Sequence, residues 1–154
     1  LDVLCGSGAG GLIRTCQRVH AIESGRETRP SATWDLMGDW ADDEKGLTVL
    51  ALDYEHRPEG MDGWPPVMGY VYCLIHGAWA YYFSSATLRK NLNHALLWHA
   101  MKALKARGVR WLELGWQARA GDTDKDRGIS HLKAGLGGVD IPAKEAPDLC
   151  GRSV

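Results

Sequence analysis

The residues best suited to chemistry are a carboxylate on an expected strand and a lysine on an expected short helix. Glu113 stands between Leu112 and Leu114 in the stretch VRWLELGW, so its side chain points opposite to both leucines on a strand. Partial burial there would prepare the carboxylate to act as a general base, and a structural ion pair is an equally good interpretation. Lys133 lies in DKDRGISHLKAGLGG, between Leu132 and glycines that permit close backbone approach. Lys133 is therefore a candidate for catalysis, and the alternative interpretation is a solvated lysine on the surface of a helix.

Aromatic and amide side chains form a second group of candidates. Tyr81 and Tyr82 are consecutive on an expected strand, so one faces the core and the other a surface or cleft. One of these two tyrosines is expected to line a binding site for substrate. Trp116 and Gln117 end the strand that carries the candidate base, where sites in such sheets often lie. These four residues are therefore predicted to bind substrate.

Charged residues precede Lys133 in the sequence, and they raise the questions of a phosphate site and of a calcium-binding loop. Arg127 and Lys125 can hold a phosphate at the start of the short helix. Charge balance with the three aspartates of this segment is an equally good interpretation. The aspartates do not have calcium-loop spacing, because Gly128 comes one place late and a lysine occupies the position of the bidentate acid. No metal is expected.

Composition narrows the class of protein. The chain has 154 residues, a formal charge of -1 and no basic surplus of the kind that favours general nucleic-acid binding. Its four cysteines form no CxxC pair and no Cys/His cluster, which indicates reduced thiols and a cytoplasmic location. No apolar run is long enough to span a bilayer, and no signal peptide is recognisable. One domain is the simplest organisation for this length.

Gly6, Gly8 and Gly11 match GxGxxG after a short apolar run, in a stretch similar to the first motif of S-adenosylmethionine-dependent methyltransferases. A nucleotide loop of this kind needs a second strand about 20 residues on, with an acid for the ribose. The polar segment that follows contains Pro30 and no strand-like run. Residues 1–10 are therefore expected to form a flexible leader, with room for a short strand. The tail, residues 140–154, is weakly patterned.

Periodicity predicts the elements that position the candidate residues. Helical spacing covers residues 12–23, and a second helix begins near Ser31 or Thr33 and continues to Trp40. Three strands follow, and short loops between them favour an antiparallel meander. The clearest helix covers residues 91–108, and the strand that carries the candidate base comes directly after it. A short helix follows. The sequence predicts an α/β (α+β) fold with a mixed, mainly antiparallel sheet flanked by helices.

With its elements in this order, the chain resembles the FemABX-type aminoacyltransferases, a branch of the GNAT acyltransferase superfamily, and their second GNAT-like domain in particular. The residues that carry the resemblance are AYYFSSATLRKNLNHALLWHAMKALKARGVRWLELG followed by DKDRGISHLKAGLGG. It covers residues 11–139. The aromatic residue that the family has before its lysine is here Leu132. The family commonly pairs two such domains, so a homodimer is one way for a single domain to rebuild a cleft.

The resemblance implies transfer of an acyl or aminoacyl group onto an amine, with Lys133 stabilising charge in the transition state. The donor it implies is aminoacyl-tRNA, and the acceptor is the amine of a peptide or of a peptidoglycan precursor. Acyl-CoA is the other donor, although the glycine-rich loop with which GNAT enzymes hold its pyrophosphate is absent from SSATLRKNLNHA. No tightly bound cofactor is expected. A GNAT-like binding module without catalysis is the alternative, and Leu1 in place of a methionine leaves room for an upstream domain.

Overall fold

The structure, a computed structural model, describes residues 2–6, 10–115 and 123–140. The chain divides into two compact units, residues 1–114 and residues 115–154. The first unit contains five strands and three helices within its described residues, and the second contains one helix. The expected single domain stays a prediction. No helix among the described residues is long and apolar enough to cross a membrane.

One five-stranded sheet organises the first unit. Its strands lie in chain order across the sheet, and only the last pair is parallel. A parallel pair needs a crossover connection, which the long helix between the last two strands supplies. The strands are β1 (Asp2–Gly6), β2 (Gly46–Leu52), β3 (Val67–His76), β4 (Trp79–Thr87) and β5 (Trp111–Glu113). This mixed, mainly antiparallel sheet with flanking helices is the architecture that the sequence predicts.

Two helices cover one face of the sheet. They are α1 (Gly10–Ser24) and α2 (Ser31–Asp42). Val19 of α1 and Trp34 of α2 are buried in the main core cluster together with Tyr70 and Tyr72 of β3. The tyrosines lie two residues apart, so both point to this face. The α1/α2 face therefore holds the largest aromatic side chains of the core.

The opposite face is covered by α3 (Leu92–Ala106). Its buried residues Leu92, Leu96, Leu97, Ala100 and Leu104 recur at helical spacing. A methyl group placed on Gly69 of β3 would lie 3.2 Å from the side chain of Leu92, so helix and sheet approach closely there. Gly108, with φ of +81°, follows the last turn as the glycine pattern predicts.

The structure bears on two expectations about the ends of elements. The leader does contain a short strand, since residues 2–6 form β1, which pairs with β2 from Asp2↔Leu52 to Gly6↔Thr48. Backbone hydrogen bonds hold this edge strand, and its own side chains are at most half-buried, so the hydrophobic pattern is weak. Helix α2 is not capped by Ser31 or Thr33: its N-cap position is Pro30, and no side chain bonds its first turn.

The second unit contains α4 (Asp124–Ala134) among its described residues. It is the short helix that the sequence predicts after the strand of Glu113. Its end is marked by a turn in which Leu136 and Gly137 donate to the carbonyls of Lys133 and Ala134. Gly137 has a φ of +75°, a conformation that glycine adopts at little cost. The glycine-rich segment therefore terminates the helix.

Candidate active site

One irregularity of the sheet lies in the middle of β4. Tyr72 of β3 pairs with Ser84, and the next residue, Cys73, pairs with Tyr82. Phe83 is left without a partner, which defines a β-bulge. On its other side β4 pairs with β5 only from Trp79↔Trp111 to Tyr81↔Glu113. Among the described residues, the parallel pairing therefore ends next to the bulge, and β4 continues beyond it to Thr87 with that edge unpaired.

Tyr81 and Tyr82 point to opposite faces, as the alternation of a strand predicts. Tyr81 pairs with Leu74 and Tyr82 with Cys73, which are themselves consecutive on β3. The Tyr81 ring is 38% exposed and makes an edge contact with Phe83, with 6.4 Å between ring centroids. Tyr82 is half-buried on the α3 face, where its hydroxyl bonds Ser85. Tyr81 is thus the tyrosine that meets solvent on the α1/α2 face.

Glu113 pairs directly with Tyr81, so the two side chains are neighbours on the same face. The carboxylate is exposed, and the expectation of a partly buried base is wrong in that respect. The burial differs because β5 is a short edge strand of three residues. Next to this pair, the rings of Trp79 and Trp111 stack with centroids 5.5 Å apart. The structure therefore brings together a tyrosine, a carboxylate and two tryptophans at the edge of the sheet.

A buried hydrogen-bond network lies next to the bulge, and the sequence analysis missed it. Tyr70 is completely buried, and its hydroxyl is 2.7 Å from Ser84 Oγ and 2.8 Å from His20 Nδ1. Arg29, in the connection from α1 to α2, donates to Ser84 Oγ at 3.1 Å and lies 3.4 Å from His20 Nε2. A second nitrogen of its guanidinium is 3.5 Å from the carbonyl of Phe83. The network therefore attaches the α1–α2 connection to the bulge.

The donor and acceptor chemistry of the side chains assigns the proton positions in this network. An arginine can only donate, so His20 Nε2 accepts and the Nδ1–H donates to Tyr70. Burial raises the pKa of Tyr70 far above its ordinary value, and the hydroxyl keeps its proton to donate to Ser84. One sequence signal could have located the network: a tyrosine at a buried strand position needs a partner for its hydroxyl. No motif marks Arg29.

The turn between β4 and α3 has a left-handed residue at the start of the helix. Asn91 occupies the N-cap position with a φ of 64° and makes no side-chain capping bond. Asparagine is one of the few non-glycine residues that tolerate this conformation. Lys90 and Arg89 are exposed beside it. The segment thus bends like a glycine-containing loop although it contains no glycine.

Asp53 connects this turn to the end of β2. Its carboxylate is buried, lies 3.6 Å from the Arg89 guanidinium, and accepts bonds of 3.1 Å from the backbone N–H groups of Glu55 and His56. Desolvation tends to raise the pKa of Asp53, but the bonds from His56 and Glu55 outweigh it and lower the pKa. Asp53, Glu55 and His56 lie close enough together to resemble metal ligands. The backbone bonds give the aspartate a structural role.

Lys133 is buried, with 7% of its surface exposed, so it is not a solvated helix lysine. Desolvation lowers the pKa of its ammonium group below the ordinary value. Arg127, two turns earlier on α4, is exposed and has a partner of its own. The predicted roles of Trp116 and Gln117 fall on residues outside those that the structure describes. Lys125 lies on α4.

No protein-family profile matches the chain, and no curated protein matches it either. Several solved structures are similar to the chain. A GNAT-family acetyltransferase from Staphylococcus aureus Mu50 has a TM-score of 0.64 and 12% identity, covering 99% of this chain and 94% of its own. The ribosomal-protein-S18-alanine N-acetyltransferase from Escherichia coli has a TM-score of 0.59 and 17% identity, with coverages of 88% and 77%. An aminoglycoside acetyltransferase from an uncultured soil sample reaches 0.63 at 9% identity, with coverages of 92% and 91%.

These likenesses define the class to which the architecture belongs. The chain has the fold of the GNAT acetyltransferases, with a five-stranded, mostly antiparallel sheet flanked by helices. TM-scores of 0.59 to 0.64 establish the fold. At identities of 9 to 17%, the reaction has to be argued from the site. The narrower resemblance to FemABX-type aminoacyltransferases stays a prediction.

Proposed function

We propose that the chain is an acyltransferase that moves an acyl group from a phosphate-bearing carrier onto an amine. The observation that carries this proposal is the end of the β4–β5 pairing at Tyr81, next to the bulge at Phe83. It supplies a strand edge, aromatic side chains and a carboxylate at one place on a GNAT fold. In the reaction, the amine nitrogen attacks the acyl carbonyl carbon and loses a proton, the bond to the carrier breaks, and the carrier leaves with a proton.

The exposed edge of β4 suits the arm of an acyl donor. From Tyr82 to Thr87 the backbone groups on the β5 side have no strand partner among the described residues. Such unpaired N–H and C=O groups can bond an extended ligand as if it were a further strand. The two amide groups of the pantetheine arm of acyl-CoA have this chemistry. A donor thioester at this edge would lie close to Tyr81 and Glu113.

The turn before α3 suits the phosphates of that donor. The first N–H groups of a helix have no partner within the helix and attract anions. Lys90 adds positive charge beside them, and Arg89 is exposed there too, although it is 3.6 Å from the carboxylate of Asp53. The left-handed Asn91 gives the turn the course that glycine gives it elsewhere. Acyl-CoA is therefore the first donor to test, although the glycine loop is absent from the sequence.

The acceptor amine is proposed to bind along Tyr81 and Glu113. The carboxylate attracts an amine in its protonated form, and the aromatic ring beside it provides an apolar contact. The sequence resemblance assigns the charge-stabilising role to Lys133. Aminoacyl-tRNA, the donor that the same resemblance implies, is the second donor to test.

The experiment compares binding of acetyl-CoA and of aminoacylated tRNA to the purified chain by calorimetry. It includes a matched pair of variants at the turn. Asn91→Gly keeps the left-handed conformation, and we expect it to bind acetyl-CoA within about twofold of the original chain. Asn91→Val disfavours that conformation, and we expect at least a tenfold loss of affinity. Hydrogen exchange should show new protection in β4 on donor binding and no change in β2.

The outcomes separate the candidate functions. Saturable acetyl-CoA binding, with release of free thiol when amines are added, supports an acyltransferase. Binding of aminoacylated tRNA alone supports the narrower aminoacyltransferase proposal. Lys133→Ala should reduce transfer and leave donor binding in place. If neither donor binds, or if the two Asn91 variants bind equally well, the proposed donor site is wrong and a binding module is the better interpretation.

A further inference from the structure

Arg29 carries a charge that nothing in the described part of the chain neutralises. Its side chain is half-buried, and no described carboxylate lies within ion-pair distance of it. The hydrogen bonds it makes are to neutral groups, namely Ser84, the backbone carbonyl of Phe83 and the ring of His20. A half-buried cation without an anionic partner costs free energy of folding, and such a cost is often kept for a function.

The surroundings of Arg29 hold its guanidinium in a fixed orientation. The guanidinium carbon lies 5.9 Å from the ring centroid of Trp34 and 5.6 Å from that of Phe83. The network through Ser84 and Tyr70 fixes one end of the group. An arginine has five N–H donors, and the three observed contacts leave donors available. A rigid planar group with spare donors matches a carboxylate in a two-bond geometry.

The position of Arg29 places this group next to the proposed acceptor surface. The ring of Phe83 contacts the guanidinium and also contacts Tyr81. Tyr81 in turn pairs with Glu113. Arg29, Phe83, Tyr81 and Glu113 therefore form a strip on the α1/α2 face of the sheet, with a cation at one end and an anion at the other. We call these four residues the acceptor strip.

We propose that Arg29 binds a carboxylate of the acceptor, so that the acceptor is an amino acid. The proposal rests on the proposed function, in which the acceptor amine lies near Tyr81 and Glu113. The rings of Phe83 and Tyr81 lie between the two ends of the strip, so an acceptor must have its amine several bonds away from its carboxylate, as lysine does, to reach both ends. Its carboxylate then lies on Arg29 and its amine points toward Glu113. Arg29 is a specificity-determining residue, since it selects the acceptor and takes no part in the bond changes.

The test measures acceptor binding to the donor-free chain, so it does not depend on transfer. The probes are the 20 common amino acids and their carboxamides, which keep the amine and lack the negative charge. We expect at least one amino acid to bind, with its carboxamide at least tenfold weaker. Arg29→Gln should remove this discrimination, and Arg29→Lys should retain part of it, because lysine keeps the charge and loses the fork. Arg18→Gln is the matched control, since Arg18 is an exposed arginine of α1 that donates to the carbonyl of Gly60.

Each outcome decides the proposal. If every carboxamide binds as well as its amino acid, or no amino acid binds, the proposal is wrong even when acetyl-CoA binds. If Arg29→Gln leaves the discrimination intact, another residue recognises the carboxylate. The comparison of acid with amide on the unmodified chain remains decisive even where the Arg29 variants fail to fold. Failure of acetyl-CoA binding with intact carboxylate discrimination would overturn the donor site alone.

Discussion

At the scale of single residues, burial separates the two candidates that the sequence put forward for catalysis. Lys133 is buried and Glu113 is exposed, the reverse of the usual expectation for a lysine on a charged helix and a glutamate between leucines. An ammonium group without its full hydration shell is destabilised relative to the neutral amine. Desolvation therefore disfavours the charged form of Lys133 in the folded chain, and its effect on stability is measurable.

We predict that Lys133→Met stabilises α4 at neutral pH. Burial lowers the pKa of Lys133 below 10.5, so between the lowered pKa and 10.5 the unfolded chain binds more protons than the folded chain. Stability of the original chain therefore rises with pH across this window, and the cost is fully present below it. Methionine has no charge to desolvate. The measurement is amide hydrogen exchange in α4, compared between variant and original chain at each pH so that intrinsic exchange rates cancel.

The control for this prediction is an exposed lysine. Lys105 lies on α3 in contact with solvent, and Lys105→Met should leave exchange in α4 unchanged at every pH. The stabilisation by Lys133→Met should shrink as the pH rises toward 10.5. A variant whose α4 is less protected than the original at neutral pH would show that the buried ammonium makes a net favourable interaction.

At the scale of elements, a helix approaches the sheet closely where α2 leads into β2. Gly46, the first residue of β2, faces Tyr72, whose hydroxyl donates to the carbonyl of Met37 at 2.8 Å. A methyl group on Gly46 would lie 2.9 Å from Tyr72 Cζ, nearer still to its hydroxyl, and 3.1 Å from Ala41 Cα. Real Cβ atoms essentially never have contacts below 3.0 Å, so the glycine allows α2 to pack against the strands.

We predict that Gly46→Ala destabilises the first unit by about 2–4 kcal/mol. The estimate combines overpacking of a close contact with disruption of the buried bond between Tyr72 and Met37. Denaturant unfolding measures the change. Gly11→Ala is the control, because no atom lies within 4 Å of the added methyl and alanine favours a helix such as α1. In a Tyr72→Phe background the cost of Gly46→Ala should be smaller, and an equal cost would place the strain elsewhere.

The same scale shows how far the sequence could predict the fold. Helical periodicity located α1, α2 and α3, because each buries a stripe of apolar residues. It did not predict β1 as part of the sheet, since pairing with β2 stabilises that strand more than its own side chains do. The bulge at Phe83 depends on the register between two strands, which no residue of β4 encodes by itself. The candidate site forms at this bulge, so only part of it was predictable.

Individual residues show the same limit. The alternation on β4 correctly placed Tyr81 and Tyr82 on opposite faces. The exposure of Glu113 follows from the shortness of β5 at the sheet edge, which its apolar neighbours in sequence concealed. Arg29 comes from a connection without periodicity and meets the bulge only through tertiary packing. Sequence patterns predict which side of an element a residue occupies, and they do not predict which elements end near each other.

At the scale of the whole molecule, the sheet separates two layers of buried side chains, and each layer contains one buried cysteine. Cys16 lies in the main core cluster on the α1/α2 face. Cys73 is buried at the next position after Tyr72 on β3, and therefore on the α3 face. Burial raises the pKa of the Cys16 thiol far above its ordinary value and that of the Cys73 thiol to about 12. Neither thiol can react while the sheet is covered.

We predict that Cys16 and Cys73 react with iodoacetamide at the same rate under native conditions. Both layers share the central strands β2 and β3, so exposing either thiol requires the first unit to unfold as a whole. The measurement is mass spectrometry of a chain that carries Cys5→Ser and Cys150→Ser, so that only these two thiols remain. A chain in which the exposed Cys5 is the sole cysteine is the control and should react without unfolding. Faster labelling of Cys73 would show that α3 detaches while α1 and α2 stay folded, and the two layers would then be separate cooperative units.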